Sequence, residues 1–446
     1  MVELTGRVIY AGEAGYEDAR LNFNTRYSAS PFAIVFCQSV KDVINAVNWA
    51  QMSGIPIRVR SGRHSYEAFS VANDALIIDL NEMEQIHIDD GEVTIQAGAE
   101  LVPIYETLSS QGVTIPGGSC ASVGITGLTL GGGYGLLARW KGLTCDSLLS
   151  VEMVSAAGKI IAASSSQNAD LFWALRGGGG GNFGIITSLT YQAHSIDKVT
   201  VYQLSWNWSE IERIVQFWQT WASQTDDRHT SILKLVPESV DSVFVVGQFV
   251  GTEAELRQVL APLLELAPKA VSIETLPYIE AVYAFAGLKP GYPKRLAHWH
   301  GSQTKFKNAS DYVARPLNAD GIATVVRFLK QTPSKNIVLQ FDSYGGAIAK
   351  IPSDATAFPH RQVLFNIQYQ TYWTKPQDQT AHINWVRNFR AAMQPYVTGG
   401  CYVNYCDRDL KNWQTAYYGN NWQKLKQVKQ KYDPGNFFQF EQSVTK

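Results

Sequence analysis

Two residues able to bond a ligand stand in loops of unusual composition: His64 in RVRSGRHSYEAF (58–69) and Cys120 in PGGSCASVGITGLTLGGGYG (116–135). One offers a nucleophilic nitrogen, the other a sulfur. The strand-like residues before His64 end in Ser61-Gly62-Arg63, a turn that gathers free backbone N–H groups beside the basic side chains of Arg58, Arg60 and Arg63. Such a turn suits a pyrophosphate. Ser65 follows directly. Around Cys120, the glycines at 117, 118, 124, 127, 132 and 135 (Gly117, Gly118, Gly124, Gly127, Gly132, Gly135) let the backbone approach a planar ligand and again present N–H donors. A third stretch, RGGGGGNFGI (176–185), repeats the pattern with Gly181, Asn182 and Gly184, followed by Ile186. A loop histidine is more often a surface or packing residue, and a lone cysteine is a weak signal. Two separated phosphate-type loops, each carrying a nucleophile, form a much stronger one.

These loops need rigid elements to hold them. Ser39 can cap a helix whose Val40, Val43, Ile44 and Val47 share a face, and Gly54 ends it before the strand-like IPIRVRSG. ALIIDL (75–80) and EVTIQAGA (92–99) read as strands, and VPIYETLSSQG as a short helix closed by Gly112. LLSVEMVSAAGKIIAAS reads as two strands joined by a turn at Ala157-Gly158. After about residue 195 the pattern becomes strand (VTVYQLSWN), helix (SEIERIVQFWQTWASQ), strands at 231–236 and 242–250, and a helix from Glu253 to Leu266. LNADGIATVVRFLKQTP, NIVLQFDSYGG and VLFNIQYQTYWT continue the alternation. This order predicts an α+β protein with an antiparallel sheet backed by helices on one face.

A chain of 446 residues, 45% hydrophobic, can fill the cores of two or three domains. Its 38 basic and 39 acidic side chains nearly cancel, with no run of five like charges, so nucleic acid and other polyanions are not expected partners. Charged residues make up 17%, while 12 Trp, 21 Tyr and 19 Phe suit aromatic-lined pockets. The N-terminal MVELTGRVIYAGEAGYEDAR lacks the pattern of a signal peptide, and no run approaches the roughly 20 apolar residues of a membrane span. A soluble, cytoplasmic protein is the expectation. Of Cys37, Cys120, Cys145, Cys401 and Cys406, none forms a metal-ligand spacing with histidine, so no metal site is expected and four of the five should be inert thiols.

RSGRHSYE, PGGSCASVGITGLTLGGGYG, DLFWALRGGGGGNFGIIT, FPHRQVLFNIQY, YVNYCDRDL and DPGNFFQFEQS occur in this order along nearly the whole chain. Together they resemble the berberine bridge enzyme-like oxidases of the vanillyl-alcohol oxidase superfamily, which include carbohydrate and natural-product oxidases. The resemblance implies FAD held by two covalent bonds, from His64 to the 8α-methyl and from Cys120 to C6 of the flavin. It also implies an FAD-binding domain of two α+β subdomains over 1–195 and a substrate domain over 196–399. A C-terminal segment, 400–446, would return to the FAD domain and bring Tyr402, Asn404 and Asn436 near the flavin, with Tyr134 of the second glycine stretch. The common family form of the first segment is RSGGH, so Arg63 is a departure, as is Ala68 where glycine is frequent.

Tyr405, in YVNY, matches the tyrosine that several relatives use as base, and Asp342, in QFDSYGG, the place of a carboxylate that assists it. A phenol with a pKa near 10 is a poor base at neutral pH without such a neighbour. Tyr66, two residues beyond His64, should point the same way in an extended segment. Tyr344, Asn366, Gln368 and Tyr369 are expected to line the pocket. Val123, three residues after Cys120, matches the position that gates oxygen. Valine there resembles the oxygen-reactive members. The expected activity is oxidation of an alcohol or sugar hemiacetal by hydride transfer to the flavin, with molecular oxygen as acceptor and hydrogen peroxide as product. The rivals are a dehydrogenase using another acceptor and a flavoprotein with a structural or binding role.

Overall fold

A computed structural model describes residues 3–288 and 305–445. Arg7–Tyr10, Ala33–Phe36, Leu76–Asp79 and Ile57–Arg60 form a four-stranded sheet in that spatial order, antiparallel at the first pair and parallel at the other two. Ala33–Phe36 and Leu76–Asp79 are buried at every position, as strands covered on both faces must be. The helix beside them runs Val40–Ser53. Ser39 accepts the Asp42 N–H at its start, and Gly54 closes it at φ 67°. Parallel pairing sets Arg60 opposite Asp79, so the segment carrying His64 leaves an edge strand beside a buried ion pair.

A second, antiparallel sheet has the order Ile86–Asp89, Glu92–Gln96, Ile185–Gln192, Leu148–Val154, Ile160–Ser164. Its central strand emerges from the third glycine stretch. The expected turn joins its last two strands, with Gly158 at φ 65°. The stretch 116–135, expected as loop, contains a helix, Ile125–Leu130, because Ile125, Thr126, Thr129 and Leu130 bury one side between the glycines.

The seven-stranded sheet is antiparallel throughout: Ala270–Pro277, Lys198–Trp206, Val243–Phe249, His229–Leu235, Ile337–Ser343, Phe365–Trp373, Lys305–Val313. Helices Ile211–Trp221, Glu253–Leu264, Ala319–Lys330 and Gln379–Met393 share one core with it, where Leu233, Phe341 and Ile367 meet Trp218, Val325 and Phe389. Its other face carries polar side chains toward the loops of the first two sheets. The final helix, Trp422–Tyr432, packs on Ala169–Ala174. Buried Lys429 Nζ donates to Asn182 O at 2.6 Å, and the Val444 N–H donates to Asn182 Oδ1 at 2.8 Å. The chain thus returns to the third glycine stretch. No helix among the described residues is long and apolar enough to cross a membrane. Cys37, Cys145, Cys401 and Cys406 are buried, whereas Cys120 is exposed.

Candidate functional site

The two nucleophile-bearing loops cross at a contact that admits no side chain. A Cβ on Gly62 would stand 2.2 Å from Gly124 N, and one on Gly124 would stand 2.6 Å from Gly62 N. Glycine on both sides lets the backbones touch. That contact brings His64 Nε2 to 2.9 Å from Ser122 Oγ, two residues from Cys120, while the imidazole stacks on Phe23 at 4.0 Å. Burial lowers the His64 pKa to about 3, so the ring is neutral and keeps a nitrogen lone pair. The thiol of Cys120 has surface open to the cavity, yet the protein surrounding it displaces enough water to raise its pKa, opposed by Lys234 and assisted by Asp342.

The backbone N–H groups of residues 61–65 and 118–122 donate to no acceptor among the described residues. These residues are partly exposed, so the amides are open to water or to a bound group. Two such runs facing one space call for a ligand rich in acceptors. The departures from the glycine pattern are now explained in backbone terms: Arg63 has φ 61° and Ala68 φ 56°, both in the left-handed region where glycine is unstrained.

The loops open on a cavity of about 500 Å³. From the first loop it is lined by Arg58 to Tyr66, and from the second by Gly118, Cys120, Val123, Gly124, Gly127 and Tyr134. Gly181, Asn182, Gly184 and Ile186 border it, as do Tyr402 and Asn404. Four expected residues stand behind the wall instead. Gly135 packs on Gly117, whose O would lie 1.8 Å from its Cβ, and Gly117 packs on Tyr105. Gly132 faces Phe358, and Asn436 turns toward Gln439 with φ 52° while Gln439 and Phe440 take the lining positions. Arg60, though it borders the cavity, is committed to Asp79 at 2.6 Å.

The seven-stranded sheet supplies the facing wall. Tyr405 lines the cavity, its ring parallel to Tyr66 at 5.7 Å, and its hydroxyl faces Asp342 Oδ2 at 3.5 Å. Asp342 lies behind, 1% exposed, and its Oδ1 accepts from Gln340 Nε2 at 2.8 Å. Burial pushes Asp342 up to about 7, against the lowering effect of Gln340, Lys234 and Tyr405. Tyr405 is raised far above the usual phenol value by burial and by the Asp342 charge. Tyr66 accepts from Gln368 Nε2 at 3.2 Å. Gln370 Nε2 donates to Gln368 Oε1 at 2.8 Å, and Tyr372 donates to Gln370 Oε1 at 2.8 Å.

This strand corrects the expectation for Tyr369. Side chains alternate across a sheet, so Gln368, Gln370 and Tyr372 face the cavity, whereas Tyr369 turns into the helix-covered core against Phe389. Tyr344 is buried on Tyr134 at 5.3 Å and hydrogen-bonds Tyr312. Asn366 sits beside Asp342 in register and donates to Asp311 O, away from the lining. Gln370 and Tyr372 were reachable by extending the same period of two. Lys234 and Gln340 depended on which strands become neighbours.

A buried ion cluster ties the walls together. Lys307 Nζ, on the strand Lys305–Val313, lies 2.9 Å from Glu67 and 2.5 Å from Asp407. Glu67 follows Tyr66, and Asp407 stands two residues after Tyr405. The ammonium therefore fixes both aromatic rings through their neighbours. Removing one member of such a cluster leaves an uncompensated buried charge.

Residues 31–164 match the family model described as FAD binding domain, and residues 401–445 the one described as Berberine and berberine like. An FAD-linked oxidoreductase of Bacillus subtilis, YgaK, is 41% identical, the match covering 99% of this chain and 97% of that protein. A solved structure described as chitooligosaccharide oxidase superposes with a TM-score of 0.90 at 29% identity, covering 99% of this chain and 97% of that one. Phl p 4, a grass pollen allergen with glucose dehydrogenase activity, superposes with a TM-score of 0.91 at 27% identity, covering 98% of this chain and 96% of the other. The chain belongs to the berberine bridge enzyme-like family and is an FAD-linked oxidoreductase. Its residues fit the cofactor: unpaired amide runs for phosphates, open space over Gly127, and two nucleophiles on one cavity.

Proposed function

We propose that this member of the family is an oxidase acting on an alcohol or a sugar hemiacetal, with FAD bonded to His64 and Cys120 and oxygen as the acceptor. The observation that carries the reading is the Tyr405–Asp342 contact at 3.5 Å, on the cavity shared with both nucleophiles. FAD when bound supplies the hydride acceptor for the substrate C–H bond. Tyr405 takes the substrate O–H proton as its own phenolic proton moves toward Asp342 Oδ2, which avoids a bare phenolate beside a carboxylate. Tyr66 stacks parallel to Tyr405, and Gln368 holds its hydroxyl, orienting the substrate between the rings and the loops. Residues 1–195 would bind the cofactor, 196–399 the substrate, with 400–446 completing the cofactor site.

A saccharide or a secondary-metabolite alcohol fits the glutamine and tyrosine wall, and the resemblance to a chitooligosaccharide oxidase supports the first. Val123 supports oxygen access, since its small side chain on the cavity wall would leave room for oxygen to reach a flavin bound there. A Phl p 4 variant with isoleucine replaced by valine is described as a glucose oxidase, while the allergen itself has glucose dehydrogenase activity. Anaerobic screening of sugars and alcohols for flavin bleaching tests the activity, and stopped-flow reoxidation in air tests the acceptor. Bleaching by some alcohol or sugar with rapid peroxide formation is expected. No bleaching across the panel removes the enzyme reading, and slow reoxidation removes the oxidase one.

A further inference from the structure

Among the described residues the sheet wall carries one cation, and it forms no ion pair. Lys234 projects from His229–Leu235 into the cavity, with its backbone in register with Gln340, itself a lining residue. Gln340, its neighbour across the strands, donates to Asp342 Oδ1 at 2.8 Å and stands opposite Gln368, so Lys234 shares a row of the sheet with the groups around Tyr405 and Tyr66, and its charge acts on Asp342 and the Cys120 thiol. Among the described residues no carboxylate lies within ion-pair distance of it: Asp342 is engaged with Gln340 and Tyr405. Residues 1–2, 289–304 and 446 contain no Asp or Glu side chain that could serve instead. The other cations on the cavity, Arg58, Arg60 and Arg63, belong to the loop wall, where Arg60 pairs with Asp79.

An ammonium half enclosed by protein loses hydration, and an anion that replaces the lost water is bound in proportion. Around Lys234 stand the neutral hydrogen-bonding groups Gln340, Gln368, Gln370 and Tyr372, which suit hydroxyls and not a second charge. Resting on the oxidase reading above, we infer that the substrate is an acidic polyol, a carboxylate-bearing sugar such as a uronate, whose carboxylate is bound by Lys234 while its carbinol faces Tyr405.

The experiment compares D-glucuronate and D-galacturonate with D-glucose and D-galactose on the holoenzyme. Binding is read from perturbation of the flavin absorbance and turnover from anaerobic bleaching. The acids are expected to have the higher kcat/KM, and their KM to rise with added salt as the ion pair is screened. Lys234→Met should lower the acid-to-neutral ratio of kcat/KM by about tenfold to a hundredfold, and Lys234→Arg should keep most of it. Neutral sugars that bleach the flavin as well as the acids do, or a Lys234→Met ratio that does not move, overturn the inference while leaving the oxidase reading intact. A shift of the pH profile that is equal for acids and neutral sugars would assign Lys234 to tuning Asp342, and overturns it too. Failure of every sugar and alcohol to bleach the flavin strikes the oxidase reading instead.

Discussion

The two walls of the cavity are built by different means. The loop wall is backbone: runs of unpaired amides, held in place where Gly62 meets Gly124. The sheet wall is side chain: Lys234, Gln340, Gln368, Gln370 and Tyr372 stand on strands whose hydrogen bonding does not depend on them. A substitution in the first moves the frame, and one in the second changes only what the frame presents. On the function proposed above, cofactor attachment belongs to the rigid wall and substrate choice to the exchangeable one.

Substitution in the loop wall should be close to all-or-none. In Gly62→Val the added carbons have only backbone to push against, so the crossing opens and stability falls by several kcal/mol, on the order of 3 or more, with loss of bound flavin; a thermal melt and the visible spectrum report it. His64→Ala and Cys120→Ala should each keep yellow colour after acid denaturation through the remaining bond, and the double variant should release all its flavin. Colour retained by the double variant would remove both attachments from these residues.

Effects on the facing wall should be graded. Tyr405→Phe keeps the ring over Tyr66 but loses the hydroxyl, and kcat/KM should fall about 10²- to 10⁴-fold with the flavin still bound. Asp342 sets a pH limb. Its carboxyl is protonated below about 7 and cannot take the phenolic proton of Tyr405, so kcat/KM should rise with pH and level off above that value, and Asp342→Asn should abolish the limb. Stability runs the other way. The folded protein keeps a proton that the unfolded chain releases near its ordinary value of about 4. Asp342 therefore costs stability as pH rises from there through about 7, and Asp342→Asn should flatten that decline in a denaturation series. The smallest effect lies back in the first loop, where Ala68→Gly should relieve left-handed strain at φ 56° and raise stability by about 1 kcal/mol. No gain would mean that the buried Ala68 methyl offsets its own strain.

The same contrast explains what could be read from the chain. That the His64 and Cys120 loops serve one cavity was legible because loop chemistry is local, a few adjacent residues specifying turn, donors and nucleophile, while their part in holding a flavin came from the resemblance. Helix Val40–Ser53 was legible because Ser39 and Gly54 mark its ends. Tyr369 was misplaced by one residue of register, the smallest error that sends a strand side chain to the opposite face. Lys234, Gln340 and the Lys307 cluster were out of reach, since each acquires its meaning from segments tens to hundreds of residues away. Arg63 and Ala68 were visible only as departures until their φ values gave the reason.

Asn182 accepts the Val444 N–H through its side chain and the Lys429 ammonium through its carbonyl, while its own amide holds Gly178 O and Gly179 O. The third glycine stretch thus gains its last partners from the end of the chain. On the ribosome, more than two hundred residues emerge between the two, so the pocket stays unfinished until residues 429–444 have been made. Flavin loading should then wait for those residues, and truncation before Lys429 should yield a protein that is made normally but remains colourless.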